Sequence, residues 1–115
     1  MRSPSTALRN QAVTVFKPVK ATEPVNGGYK TTYTKTIYYD VRYTITTDKM
    51  LHVTLYDVSN TVDYDSLFAE ALIVPGVYSG LTPPKEGAEK HFYAVSNIHH
   101  RWADGHLHNI GIDAV

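Results

Sequence analysis

The sequence predicts an all-β fold: a small antiparallel β-barrel or sandwich with long loops and at most one short helix. Three observations lead there. Thr, Val, Tyr, Ile, Phe and Trp account for 44 of the 115 residues, against 34 for Ala, Leu, Met, Glu, Gln, Lys and Arg. β-branched and aromatic side chains suit a pleated, half-buried surface. Apolar and polar residues alternate in several stretches, the period-2 signature of a strand with one face inward. Clusters such as Asn26-Gly27-Gly28, Thr47-Asp48-Lys49 and Ala103-Asp104-Gly105 punctuate those stretches with turn chemistry. The length allows one domain, residues 1–115, with a modest core.

Residues 1–10 are polar, carry Arg2 and Arg9, and read as an arm that orders against a partner or neighbour. The first strand spans 11–17, with Val13 and Val15 on one side, and Pro18 removes a ladder donor. Residues 19–28 follow as a long hairpin loop. From Tyr29 to Thr47 nearly every residue is β-branched or aromatic; Ile37, Tyr39, Val41, Tyr43 and Ile45 share one face. This stretch is two strands joined at a bend, or one strand with a bulge. After the turn at 47–49, Leu51, Val53 and Leu55 point inward, so 37–47 and 50–58 form a hairpin.

Residues 57–90 break the alternation and read as a long loop region. Within it Ser66 to Val74 is ambiguous: a short helix capped by Ser66, or a strand ending at Ile73-Val74-Pro75. Residues 76–90 read as an exposed contact loop. A second hairpin closes the domain, with a strand from His91 to Trp102 and a return from His106 to Val115. A three-residue loop sets Trp102 opposite His106, His100 opposite His108 and Ile98 opposite Ile110, collecting the isoleucines on one face.

Charge and composition exclude several function classes. Eleven basic residues balance eleven acidic ones, which argues against affinity built mainly on neutralising phosphates. There is no cysteine, hence no disulfide, thiol nucleophile or thiolate zinc site. No apolar run approaches the roughly 20 residues of a membrane span and no signal-like stretch opens the chain, so an intracellular protein is expected. No Gly-x-Ser-x-Gly elbow accompanies Ser96 and its neighbouring His99 and His100, and no glycine-rich phosphate cradle exists; the expectation is a protein that is not an enzyme and uses no cofactor.

The sharpest chemical feature is the cluster His99, His100, His106 and His108. His106-x-His108 places two imidazoles on one strand face; with His100 opposite, three nitrogen ligands converge at a spacing zinc accepts, and Asp104 or Asp113 would complete the set. The alternative is a solvated or interfacial hairpin tip. Asp57, Asp63 and Asp65 lack the Gly and Glu of a calcium loop and read as solvating residues. Tyr29, Tyr33, Tyr38 and Trp102 open a carbohydrate-binding reading, against the plainer one of core and subunit packing.

The order of segments resembles a known family. Ala12-Val13-Thr14-Val15-Phe16-Lys17, a long loop, and Tyr33-Thr34-Lys35-Thr36-Ile37-Tyr38-Tyr39-Asp40-Val41 are similar to the opening of the head-completion proteins of tailed bacteriophages. Asp65 to Pro75 with Tyr78 and Pro83, then Phe92-x-Ala94-Val95-x-x-Ile98 and Leu107-His108-Asn109-Ile110-x-Ile112-Asp113, look like that family's middle segment and closing hairpin. These patches cover about half of the chain. The resemblance implies a head-tail connector or minor capsid component of the virion, made in the bacterial cytoplasm. It implies a ring, a hexamer, below the portal and its adaptor, which retains packaged DNA and docks the tail. A tail-completion or tail-terminator ring is the nearest alternative; a His-rich metal-binding barrel is one of another class. On this reading Lys20, Asn26, Gly27, Tyr29, Tyr78 and Lys85 meet subunits or partners, and Lys20, Lys85 and Lys90 face DNA.

Overall fold

Among the described residues, six strands and one helical turn follow one another as β1 (Gln11–Lys20), β2 (Thr31–Ile45), β3 (Leu51–Leu55), α1 (Tyr64–Leu67), β4 (Leu72–Pro75), β5 (Tyr93–Ala103) and β6 (His106–Ala114). The computed structural model describes residues 11–20, 31–84 and 91–115. All pairings are antiparallel, and the sheet closes into a barrel of order β1-β2-β3-β6-β5-β4. The all-β expectation therefore holds, as a barrel. Closure gives every strand a partner on both sides along part of its length. Its weakest seam is β4 to β5, where only Leu72 opposite Ala94 and Ile73 opposite Tyr93 pair, extended by the Val95 amide donating to the Ala71 carbonyl at 3.0 Å.

The interior is filled by the inward phase of each strand. Val13, Val15, Val41, Leu51, Val53, Leu55, Ile73, Ile110 and Ile112 are buried there, closed at one end by Tyr64 and Phe68 from the helical turn. Leu51, Val53 and Leu55 point inward as their alternation predicts. At roughly 1.5–3 kcal/mol for each large apolar side chain removed from water, this cluster is the main stabilising term.

Three bulges set the phase of the walls. In β2, Gln11 pairs with Val41 but Val13 pairs with Tyr38, so β2 carries one extra residue, and Asp40 there takes φ 56°. The stretch is thus one bulged strand. The bulge corrects the predicted face: Tyr38 packs inward with Val41, while Tyr39 is 63% exposed. In β5 the extra residue is Ser96, and in β6 it is His108. Bulges of this kind bend strands and sharpen twist, which a six-strand closure requires.

β1 corrects a second expectation. The strand runs past Pro18 to Lys20 instead of yielding to a loop at 19. Pairing with β4 stops at Phe16, so beyond it β1 pairs with β2 alone among the described residues, a setting that tolerates a missing amide donor. The region 57–90 is likewise more structured than a loop, containing α1 and β4. Asp63, not Ser66, caps α1: its carboxylate accepts from the Ser66 amide at 3.2 Å and the Ser66 hydroxyl at 2.8 Å. Those bonds hold the Asp63 carboxyl below its ordinary pKa, the Ser66 hydroxyl contributing most. The turn is tied to the barrel by Lys17, whose ammonium donates to the Ser66 carbonyl at 2.8 Å and also to the Ala69 carbonyl.

Residues 76–84 form a strap over the outer face of β1 and β4. Beneath it Thr14, Phe16 and Val74 are fully buried outside the barrel core. Tyr33 and Tyr78 meet the Phe16 ring edge-on, at centroid distances of 6.3 and 6.1 Å. Thr14 satisfies its buried hydroxyl twice, donating to the Gly76 carbonyl and accepting from the Tyr78 amide, both at 2.9 Å. Gly80 is needed because a Cβ there would lie 2.4 Å from the Tyr78 ring.

Candidate functional site

The β5–β6 hairpin turns on two residues, Asp104 and Gly105, with φ 51° and 79°, and Ala103 stands opposite His106. Two successive positive φ values are the signature of the tight turn that Asp-Gly favours. The three-residue loop expected from the sequence is therefore incorrect. Trp102 faces Leu107, and the bulge at His108 moves His100 opposite Ile110 and Ile98 opposite Ile112. The isoleucines still share the inward face.

This register separates the predicted zinc ligands. His106 sits beside the turn, His108 is the unpaired bulge residue, and His100 lies near Asp65, with 3.7 Å between Nε2 and Oδ2. His100, His106 and His108 do not converge, and among the described residues no three His, Asp or Glu side chains are placed to hold a metal ion. Tip residues that alternate in sequence share a face only while the ladder is regular; one bulge cancels that.

The histidine chemistry lies elsewhere on the wall. Asp113 of β6 stands between His52 of β3 and His99 of β5, and each carboxylate oxygen takes one imidazole: Oδ1 lies 2.6 Å from His52 Nδ1, Oδ2 2.7 Å from His99 Nε2. Strand alternation explains the placement, since His52 pairs opposite Asp113 and His99 opposite Gly111, all facing outward. Partial burial works to raise the Asp113 pKa, but the hydrogen bond from His99, then that from His52, outweighs it, and the carboxyl sits below its ordinary range. Ser96 donates its hydroxyl to the Asp113 carbonyl at 3.1 Å. The same face carries Arg101, whose guanidinium lies over Gly111, where a Cβ would approach it to 3.0 Å, and donates to Asn109 at 3.2 Å. Chemically the group is an ionisable clasp across three strands. Nothing in the sequence pairs His52 with Asp113, 61 positions apart; only their outward phase on two strands was visible.

The second feature is a half-open apolar cavity of about 230 Å³ where β2, the end of β3 and α1 meet. Tyr38, Tyr39, Leu55, Val62, Tyr64 and Leu67 wall it, and among the described residues Asp57 is the one charged group at its lining. Tyr38 leans on Phe68 with ring centroids 5.6 Å apart; burial first, and Tyr64 second, push its hydroxyl pKa up. Tyr64 fixes the rim by accepting from the Ser59 amide at 2.8 Å.

The remaining predicted residues fall as follows. Tyr78 is half-buried against Phe16 as part of the strap. Tyr33 and Tyr38 pack into the molecule and form no platform with Trp102, which is 60% exposed on β5. Lys20 closes β1. Residues 1–10, Asn26, Gly27, Tyr29, Lys85 and Lys90 lie outside the described residues. Among the described residues no helix is long and apolar enough to cross a membrane. No protein-family model matches the chain, nor does any curated protein or solved structure.

Proposed function

We propose that the protein is a structural component of the head-tail connector of a tailed phage. It is a head-completion protein that assembles as a ring below the portal and adaptor, helps retain packaged DNA and docks the tail. The segment order and closing hairpin that resemble those proteins support the reading. The observation that carries it is the β1–β2 ribbon.

Pairing between these strands continues from Lys17 opposite Thr34 to Lys20 opposite Thr31, beyond the point where β4 leaves β1. At roughly 3.3 Å per residue the 15 residues of β2 span about 50 Å, close to the 57 Å long axis of the molecule and well beyond its 33 and 24 Å widths. Val19 is 47% exposed on this ribbon, and Thr31, Thr32 and Thr34 are exposed as well. A two-stranded ribbon is marginal in water by itself and gains stability by lying on another surface. An arm of this kind joins one subunit to the next in a heterologous ring. Interior side chains fill the barrel, leaving the channel function to the assembly. Contact with DNA is limited to a few lysines, in keeping with zero net charge.

Native mass spectrometry and electron microscopy of the chain mixed with portal, adaptor and tail proteins test this. A ring, a hexamer, that bridges adaptor and tail is the expected result. A monomer at all concentrations that binds none of them overturns the reading.

A further inference from the structure

We propose that the open edge of β2, residues 31–37, pairs antiparallel with the same edge of a second copy, joining two β1–β2 ribbons into one four-stranded sheet across a two-fold axis. The pair is a state of the free chain and stands apart from the ring reading. A ribbon engaged in this way is withheld from the ring contact until the pair parts.

Ladder phase decides which backbone groups are free. The Gly76 amide donates to the Ala12 carbonyl at 2.8 Å, so Ala12 turns its backbone to the β4 side of β1. Backbone direction alternates along a strand. Thr14, Phe16, Pro18 and Lys20 therefore also turn to that side, and Val13, Val15, Lys17 and Val19 turn to β2. Thr32 agrees with this phase, its hydroxyl donating to the Val19 carbonyl at 3.3 Å. The opposing residues Tyr38, Thr36, Thr34 and Thr32 thus fill the β1 side of β2, and Thr31, Tyr33, Lys35 and Ile37 aim their N–H and C=O groups the other way. β3 occupies that other side from Arg42 to Ile45 and no further. Among the described residues the amides of Thr31, Tyr33, Lys35 and Ile37 have no acceptor.

The two edges of the ribbon differ in protection. Beyond Phe16 the open edge of β1 carries Pro18, which has no amide to give, and the charged Lys20. Proline and lysine are usual guards of a sheet edge. The β2 edge contains no proline, and an unguarded edge is a template for another extended strand. A second copy of the same edge fits because the match is self-complementary. Only the antiparallel register centred on Thr34 pairs all four outward residues, Thr31 with Ile37 and Tyr33 with Lys35. It sets each lysine beside a tyrosine of the other copy, whereas a register centred on Lys35 opposes two like charges. Pairing also converts two-stranded ribbons, marginal in water by themselves, into a wider sheet.

The chain has no cysteine, so a single introduced one reads the register directly. Thr34 is exposed and would meet its own copy as a non-hydrogen-bonded pair with Cα atoms about 4.5 Å apart, within reach of a disulfide. Thr34→Cys should therefore give a cross-linked dimer under mild oxidation. Thr36→Cys, exposed on the same face, should not, because its two copies lie about 14 Å apart in this register. Sedimentation of the full chain without adaptor should show a concentration-dependent dimer. Lys35→Pro removes an amide that serves no bond within the chain, and should weaken that dimer at least about tenfold while circular dichroism shows the barrel retained. Amide exchange in the parent needs no variant: Tyr33, Lys35 and Ile37 should gain protection as concentration rises, with Thr34 and Thr36 protected throughout. A parent that stays monomeric to millimolar concentration, with those three amides unprotected, overturns the pair and leaves the ring reading to its own test with portal, adaptor and tail proteins. A dimer that Lys35→Pro leaves intact, or that Thr36→Cys cross-links and Thr34→Cys does not, is held elsewhere and overturns the proposal.

Discussion

Two walls of the barrel each fasten separate segments through a single side chain that has two partners, and they do so with opposite chemistries. On the β1/β4 wall the linking group is the Thr14 hydroxyl, fully buried under the 76–84 strap and bonded to Gly76 and Tyr78. On the β3/β6/β5 wall it is the Asp113 carboxylate, 22% exposed at its side chain, between two imidazoles that are 42% and 46% exposed. Cover decides the difference. A buried charge costs far more than a buried hydroxyl whose hydrogen bonds are complete, so the strapped wall uses a neutral group. The uncovered wall keeps water near the ion and can use a charge, at the expense of strength and with sensitivity to pH.

The largest break in this comparison is predicted at Phe16. Phe16→Ala empties the space beneath the strap and removes the ring that Tyr33 and Tyr78 meet, so denaturant unfolding should show a loss of about 3–5 kcal/mol. Next comes Thr14→Val, which keeps the shape but leaves the Gly76 carbonyl and the Tyr78 amide without their partner; the expected loss is about 1–3 kcal/mol and should be the same at every pH. A strongly pH-dependent loss would show that the strap is not held by the neutral pair.

Asp113→Asn should cost least, below about 1 kcal/mol near neutral pH, because the clasp is solvated. Its signature is the pH profile. The carboxyl is depressed in the folded protein, so its stabilisation is present above the ordinary carboxylate pKa and is lost as pH falls through the lower folded value. Parent and variant should therefore converge in acid and diverge as pH rises across that window. Parallel curves from acid to neutral would remove the clasp as a source of stability.

How much of this was legible in the chain depends on the range of the interaction. Strand identity, the inward set Leu51, Val53 and Leu55, the pair Val13 and Val15, and the turn at 47–49 follow from alternation and local turn chemistry. The closing hairpin was legible as a hairpin, yet its register was not: a two-residue turn combined with a bulge at His108 leaves the isoleucines facing inward, as a three-residue loop does, and alternation alone does not separate the two. The metal reading of His100, His106 and His108 failed at that point. Asp57 and the tyrosines at the cavity were visible as residue types, but the cavity itself exists because the Asp40 bulge turns Tyr38 inward and Tyr39 outward.

By itself, the sequence determined that this chain makes an antiparallel β-rich domain with one modest core, no cysteine chemistry and balanced charge, because composition and period-2 patterning act between near neighbours. The tertiary structure alone decided that the sheet closes, which strands become neighbours, and where the three bulges fall. Those choices join residues far apart in the chain, such as His52 with Asp113 and Thr14 with Gly76. Ladder register is a collective outcome of core filling and closure, and one extra residue in a strand moves every side chain beyond it to the other face.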